Sequence, residues 1–358
     1  MGDVLHEDDS LRAIFSREPW DALFQAKLGQ LCAAYLDGAW AQVDCASIQV
    51  TAATGGANNL IFVVKLPEGT STEYGEPHAA ILRIYRNLGE NRELPEGLIT
   101  AVLAERGLGP ALHGAFPGGR FEQYIPSRIL TNEQYCKPCV AREVGCILAR
   151  IHSLDMPVNK QLRLVHFLDE MLGRLKRAAR WSRGHPMRTT LARVNKKLCP
   201  DEITIDLLAE ELEICKKCLA RSGSPIVFSN NDLHEGNLLL RDGFEITDQG
   251  IAGSSDDSPL VLIDYEYACY YYRGFDLCHY CVECCQNNEG REWPYYQIKQ
   301  EQWPSEEVQR EYIGSYLDEA VKVKHLCSCI RGAPHEVVEL YLEVCSSGKG
   351  PNIAVPRI

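Results

Sequence analysis

The stretch "SNNDLHEGNLLL", Ser229 to Leu240, is the part of the sequence that decides the fold. It crowds Asn230, Asn231, Asp232, His234 and Asn237 between two short apolar runs, "PIVF" and "LLL", where a plain hairpin needs only two turn residues. Four residues separate Asp232 from Asn237, and Asp264 ends the later apolar run "PLVLID". A carboxylate that accepts a hydroxyl proton and two further hard oxygen donors that hold magnesium are what phosphoryl transfer requires. The plainer alternative is an Asx-turn between strands, made by Asn231 and Asp232.

Outward from this loop, the chain divides by pattern. A helical N-terminal segment runs to about Ala46, and the strand-like runs "SIQVTAA", "LIFVVKLP" and "AAILRIYR" follow. Then come the helical "ELPEGLITAVLAERG" and two more short runs in "PALHGAF" and "RFEQYI". This predicts an antiparallel sheet with one helix over residues 1–124. From 125 to 345 the pattern is helical, in "VAREVGCILARIHSL", "LVHFLDEMLGRLKRAARW" and "IDLLAEELEICKKCLA", interrupted only by "PIVF", "LLL" and "PLVLID". The polar "TDQGIAGSSDDS" reads as a loop insertion. A sheet lobe followed by a mainly helical lobe is an α+β, two-lobed protein-kinase-like outline, and D-x-x-x-x-N is the spacing of the kinase catalytic loop.

Composition limits the function. At 358 residues, with 45% hydrophobic and 24% charged residues, the chain suits two lobes that each bury a core. No run of about 18 apolar residues is present, so no membrane span is expected. The acidic start "MGDVLHEDDS" lacks the basic and then apolar order of a secretory signal, which predicts a cytoplasmic protein. Its His6 also misses the myristoylation pattern. A net charge of -12 argues against nucleic acid as a partner and suits a cationic small substrate. The sixteen cysteines read as reduced thiols in that compartment. "CKPC" and "CKKC" have metal-like spacing, but Cys215 falls at helical spacing with Leu208, Leu212 and Leu219, a core position rather than a zinc ligand.

"NDLHEGNLLL" together with "LIDYEYACYYYRGFDLCHYCVE" closely resembles the choline/ethanolamine kinases, and "LAERGLGPALHGAFPGGRFEQYIPSR" matches that family's segment from the first lobe to the hinge. The resemblance covers roughly residues 15–345. It implies ATP-dependent, magnesium-dependent phosphorylation of choline or ethanolamine, the first step toward phosphatidylcholine or phosphatidylethanolamine, by a homodimer. It makes Asp232 the catalytic base, and Asn237 and Asp264 the magnesium ligands. Glu266, two residues beyond Asp264, shares its face if the segment is a strand. Arg273 and Asp276 of "YYRGFD" resemble a buttress beneath the catalytic loop, expected as a buried ion pair. Aminoglycoside phosphotransferases share the loop but lack "YYRGFD" and rank lower. A catalytically weak relative that binds nucleotide or pairs with an active subunit is the other class of function, and intact Asp232, Asn237, Asp264 and Arg83 speak against it.

In the first lobe, "TGGANN" joins two strands, so it is neither a Walker loop nor a dinucleotide fingerprint. Gly55, Gly56, Ala57, Asn58 and Asn59 are expected to bring backbone amides to the phosphates. Lys65 lies on the strand directly after this loop. The phosphate-holding residue belongs on the next strand, where Arg83 stands, as the resemblance implies, with a planar fork suited to phosphate oxygens. Glu96, near the start of the following helix, is its expected partner. A carboxylate in a helix's first turn is favourable in any case. Gln123, Tyr124 and Ile125 form the hinge that meets the nucleotide base.

A quaternary ammonium cannot donate hydrogen bonds and is held by aromatic faces and carboxylates. Glu283 matches the family's acidic residue, and Tyr265, Tyr267, Tyr270, Tyr271, Tyr272, Trp293 and Trp303 are candidate walls, most of them core aromatics. The chain departs from the family in three places. Asn230 replaces a histidine, His234 replaces a glutamine, and "CCQNNEGREW" follows Glu283 where tryptophan and tyrosine are usual. After "VVELYLEVC" the sequence turns to "SSGKGPNIAVPRI". Its glycines and prolines predict a disordered tail over 346–358 and, with part of the aromatic cage missing, weak choline binding.

Overall fold

The computed structural model describes residues 7–16, 19–53, 59–85, 93–178, 187–188, 202–253, 258–287 and 297–323. Residues 55–58 of the glycine loop, Trp293 and the tail 346–358 lie outside them. In chain order the main elements are α1 (Glu7–Phe15), α2 (Ala22–Tyr35), β1 (Gln49–Ala52), β2 (Asn59–Lys65), β3 (Ala79–Tyr85), α3 (Glu93–Glu105), β4 (Leu112–Phe116), β5 (Gly119–Gln123) and β6 (Ser127–Ile129). There follow α4 (Pro138–His152), α5 (Arg163–Arg177), α6 (Ile205–Arg221), β7 (Ile226–Ser229), β8 (Leu238–Arg241), β9 (Phe244–Thr247), β10 (Gly250–Gly253), β11 (Leu260–Leu262), β12 (Cys269–Tyr272), α7 (Arg273–Cys284) and α8 (Glu306–Lys322). An antiparallel sheet leads and helices dominate the later residues, the α+β protein-kinase-like arrangement expected from the sequence.

The residues pack as two compact units. The first is Met1–Thr131 with Glu235–Glu266, and the second is Asn132–His234 with Tyr267–Ile358. Chain order alone puts Glu235–Glu266 with the helices; its strands β8 and β11 instead join β6 in a three-stranded sheet of the first unit.

In the first unit the five strands run in the order β1-β2-β3-β5-β4. Strand alternation sorts their side chains. Leu82 of β3 lies opposite Phe121 of β5, and both join a core with Phe15, Phe24, Leu28 and Trp40. On the opposite face Arg83 is the cross-strand partner of Arg120, and Ile81 that of Glu122. One face of the sheet is therefore the hydrophobic core, while the other collects buried charge.

The second unit is built on α4, which packs lengthwise on α8 and buries Val140, Val144, Ile147, Leu148 and Ile151. Gly145 permits this approach: a Cβ there would stand 2.4 Å from Ser315 Oγ and 2.6 Å from the Tyr312 carbonyl. α5 and α6 pack on each other and contain no fully buried residue. Cys215 is accordingly half-buried rather than a core position, because α6 presents its apolar stripe to another partly exposed helix. The described cysteines are free thiols, and no group of three or more His, Cys, Asp or Glu suited to a metal occurs among the described residues.

Three elements differ from the sequence expectation. Residues 244–253 form the β9–β10 hairpin across Asp248 and Gln249, although the segment is polar enough to read as a loop. "CYYY" is a strand, β12, paired with β7. The helix α8, with Ser305 capping the amide of Val308, is hidden in the sequence by its mixed polar and apolar pattern.

Candidate active site

Strand register gathers the groups expected at the phosphate side. β8 and β11 pair with Leu238 opposite Leu262, so Asn237 and Asp264 flank the same end of one ladder despite their distance in the chain. The amide of Ile263 donates to the Asn237 carbonyl at 2.9 Å. Asp264 then takes a left-handed conformation, φ 61°, a strained state for a residue with a Cβ. This ends the strand and leaves Asp264 Oδ1 3.6 Å from Nη1 of Arg83. Glu266 consequently sits in a turn, and the alternation that would have put it on the face of Asp264 does not apply.

Arg83 is buried, with Nε 3.7 Å from Glu122 Oε1. Glu96 takes a different partner from the one expected, since Arg120 Nη1 donates to Glu96 Oε1 at 2.7 Å. Arg120 also donates through Nε to Glu122 Oε1 at 2.5 Å and through Nη1 to the Tyr85 hydroxyl at 3.0 Å. Two arginines directly opposite each other in a sheet repel, and the carboxylates of Glu96, Glu122 and Asp264 compensate them. Glu122 bridges the two guanidinium groups. Burial pushes its carboxyl upward, but Arg83 and Arg120 outweigh burial and hold it below its ordinary value. The guanidinium of Arg120 is opposed by burial and held charged by Glu122 and Glu96. Arg120 and Glu122 escape a reading of the sequence because their alignment with Arg83 exists only once β3 and β5 are paired.

Lys65 stands away from this cluster. It pairs with Ala79 while Arg83 pairs with Ile61, and its ammonium lies 5.1 Å above the Tyr124 ring. At the expected hinge the amide of Gln123 donates to the Ala111 carbonyl at 2.8 Å, and the Ile125 carbonyl accepts from Ser127 Oγ at 2.7 Å. Asn59, the one described residue of the "TGGANN" expectation, opens β2 opposite Tyr85.

In the second unit the loop at residues 230–232 hangs from one buried carboxylate. Asp276, fully buried on α7, accepts the amides of Asn230 and Asn231, each at 2.7 Å. His152 Nε2 lies 3.1 Å from the same carboxylate, and His152 Nδ1 lies 3.0 Å from the Tyr316 hydroxyl. Arg273, buried at the start of α7, does not form the expected ion pair with Asp276; burial pushes the Tyr316 hydroxyl's pKa up and the charge of Arg273 opposes that. Asn231 has φ 64°, and its side-chain amide donates to the carbonyls of Ser229 and Tyr267, each at 3.2 Å. Asn230 Oδ1 accepts the Asp232 amide at 3.0 Å, so the Asx contact belongs to Asn230 and the turn coexists with a carboxylate presented by Asp232. Asp232 Oδ2 is 4.0 Å from His234 Nε2.

A catalytic loop of this spacing and the paired Asn237 and Asp264 set the frame for comparison. The sequence profile described as choline/ethanolamine kinase matches residues 50–347. The chain belongs to the choline/ethanolamine kinase family. It is 34% identical over 295 residues to the human choline/ethanolamine kinase, covering 82% of this chain and 69% of that protein. It is 31% identical over 314 residues to mouse choline kinase alpha, covering 80% and 64% respectively. Its fold is similar to that of a choline kinase from Cryptosporidium parvum, with TM-score 0.65 at 21% identity, covering 88% of this chain and 85% of that one. The protein is thus a kinase, and its family uses ATP. No described helix is long and apolar enough to cross a membrane.

Glu283, the acidic residue expected at the amine, is buried near the end of α7, with Oε1 3.5 Å from His279 Nε2 one turn earlier. Sequence reasoning misses His279 because its helix reads as a run of cysteines. Of the aromatic candidates, Tyr270 and Tyr271 are core residues, with the Tyr270 hydroxyl 2.9 Å from the Met156 amide. The Tyr265 hydroxyl donates to the Leu108 carbonyl at 2.8 Å in the first unit. Trp303 is half-buried beside the start of α8.

Proposed function

We propose that the chain transfers the terminal phosphoryl group of ATP to the hydroxyl of choline or ethanolamine, the first step toward the corresponding phospholipid. The observation that carries the reading is the catalytic loop, whose two amides before Asp232 are fixed by the buried Asp276. Asp232 accepts the substrate hydroxyl proton as that oxygen bonds to phosphorus and the nucleotide diphosphate leaves. Arg83 holds phosphate oxygens, its charge balanced by Glu122 and Asp264 rather than by Glu96. Glu283 holds the substrate's ammonium. Magnesium suits the donor chemistry of Asn237 and Asp264, two hard oxygens with the remaining positions left for phosphate and water; bound there, it neutralises charge developing on the phosphates. Both amines share a hydroxyl two carbons from a cation, so the same groups serve either.

The test is product analysis by phosphorus NMR with ATP, magnesium and each amine in turn, on the native chain and on Asp232→Asn. The native chain is expected to form phosphocholine or phosphoethanolamine. Asp232→Asn, nearly isosteric but unable to accept the proton, is expected to lose about 10²–10⁴-fold in turnover while still binding ATP. No phosphorylated amine from either substrate, or a variant within about threefold of native turnover, overturns the reading.

A further inference from the structure

Glu283 would face an incoming ammonium as a buried, uncompensated carboxylate unless a cation of the chain's own stands beside it. His279 is placed to do so. Its Nε2 lies 3.5 Å from Glu283 Oε1, and the two side chains are only 20% and 10% exposed. Its Nδ1 is buried with no hydrogen-bond partner among the described residues. The ring packs against Phe275, centroids 5.7 Å apart, and three carboxylates act on it: Glu283 and Asp276 of its own helix and Asp232 of the catalytic loop. An exposed pair one turn apart on a helix contributes little. A buried carboxylate without a counter-charge is costly, which gives this imidazole a task beyond helix pairing.

We propose that His279 is the resident counter-cation of the amine site, and that the substrate's ammonium takes its place at Glu283 by displacing its proton to solvent. The inference rests on the reading of Glu283 as the amine-binding carboxylate. Burial by itself pulls the ring toward the neutral form, but Glu283, Asp276 and Asp232 outweigh burial and hold it protonated above its ordinary value of 6.5. In the amine-free protein an imidazolium then neutralises Glu283 at pH values below the histidine's raised titration. When an ammonium arrives, two cations compete for one carboxylate, and the imidazolium is the one that can discharge. No covalent step is involved: a proton leaves Nε2 or Nδ1 for water as the cation binds. By linkage, amine binding strengthens as pH rises through the histidine's titration, because deprotonation removes the competitor. The effect is the same for choline and ethanolamine, since both carry the charge.

The experiment is isothermal titration of the full chain with choline and with ethanolamine, near neutral pH, in two buffers that differ in ionisation enthalpy. A substantial fraction of one proton is expected to be released per amine bound, and none in His279→Asn. In steady-state assays the Michaelis constant for the amine is expected to fall by about tenfold as pH rises through the histidine's titration, above its ordinary 6.5. In His279→Asn that dependence is expected to flatten. Amine binding without proton release, or a variant that keeps the native pH dependence, overturns the proposal and leaves the proposed activity standing. Glu283→Gln separates the two readings: amine affinity unchanged in that variant removes the assignment of Glu283, and His279 falls with it. Absence of binding by either amine overturns both. Should His279→Asn fail to fold, the proton count on the native chain decides alone.

Discussion

Lys65 and Arg83 lie on neighbouring strands of the sheet, and strand position separates them. Lys65 ends β2 beside Ala79 with its ammonium over Tyr124, whereas Arg83 is buried between Glu122 and Asp264. Arg83→Ala is expected to raise the Michaelis constant for ATP and to lower turnover by about 10²–10³-fold, since a phosphate clamp both binds and aligns. Lys65→Ala should change either constant far less. Steady-state kinetics on the two variants check this, and a lysine variant worse than the arginine variant overturns the strand assignment. At this scale the juxtaposition of Asn237 and Asp264 is legible because residue type and spacing single them out with Asp232 as candidates. Arg120 is not, because a lone arginine after "PGG" acquires meaning only opposite Arg83. For the same reason the sequence matches Glu96 with the wrong arginine.

Helix α4 connects packing to the loop. Through His152 and Tyr316 it ties α8 to Asp276, and Asp276 holds the amides before Asp232. At Gly145 the backbone of α4 lies close against α8, and its missing Cβ is the condition for that contact. Alanine there gains about 1 kcal/mol of helix propensity. The clash is with the Tyr312 carbonyl and the Tyr316 amide as well as Ser315 Oγ, so backbone must move, and overpacking of this kind costs about 1–3 kcal/mol. Gly145→Ala is therefore expected to lower the thermal midpoint and to reduce turnover together, read by calorimetry and by the amine assay. An unchanged midpoint with normal turnover contradicts the packing argument. Most strands and helices are legible from period and length. The β9–β10 hairpin and β12 are not, the first being too polar and the second too aromatic to distinguish from core filling.

Across the molecule, acid is expected to act first through the buried charges of the sheet. Glu122 is held below its ordinary 4.5 by Arg83 and Arg120 against the cost of burial. A depressed carboxyl contributes stability that is complete above 4.5 and is lost as pH falls through the lowered folded value. Denaturant unfolding of the native chain should thus weaken below about pH 4.5, and Glu122→Gln should flatten that slope while lowering stability at neutral pH. A slope unaltered in the variant places the acid sensitivity elsewhere. The two-part outline is legible because a change in hydrophobic period marks it, whereas the return of Glu235–Glu266 to the sheet unit depends on tertiary pairing that no local pattern encodes. That return has a practical side. Leu238–Leu240 pairs with Leu260–Leu262, and the ladder is closed by the Arg241 amide on the Pro259 carbonyl at 3.0 Å. The β9–β10 hairpin thus follows a fastened stem. Lengthening such a loop costs only about 0.6 kcal/mol per doubling, so the tip at Asp248 and Gln249 is a place to graft an epitope or a fluorophore without disturbing the register that brings Asn237 beside Asp264.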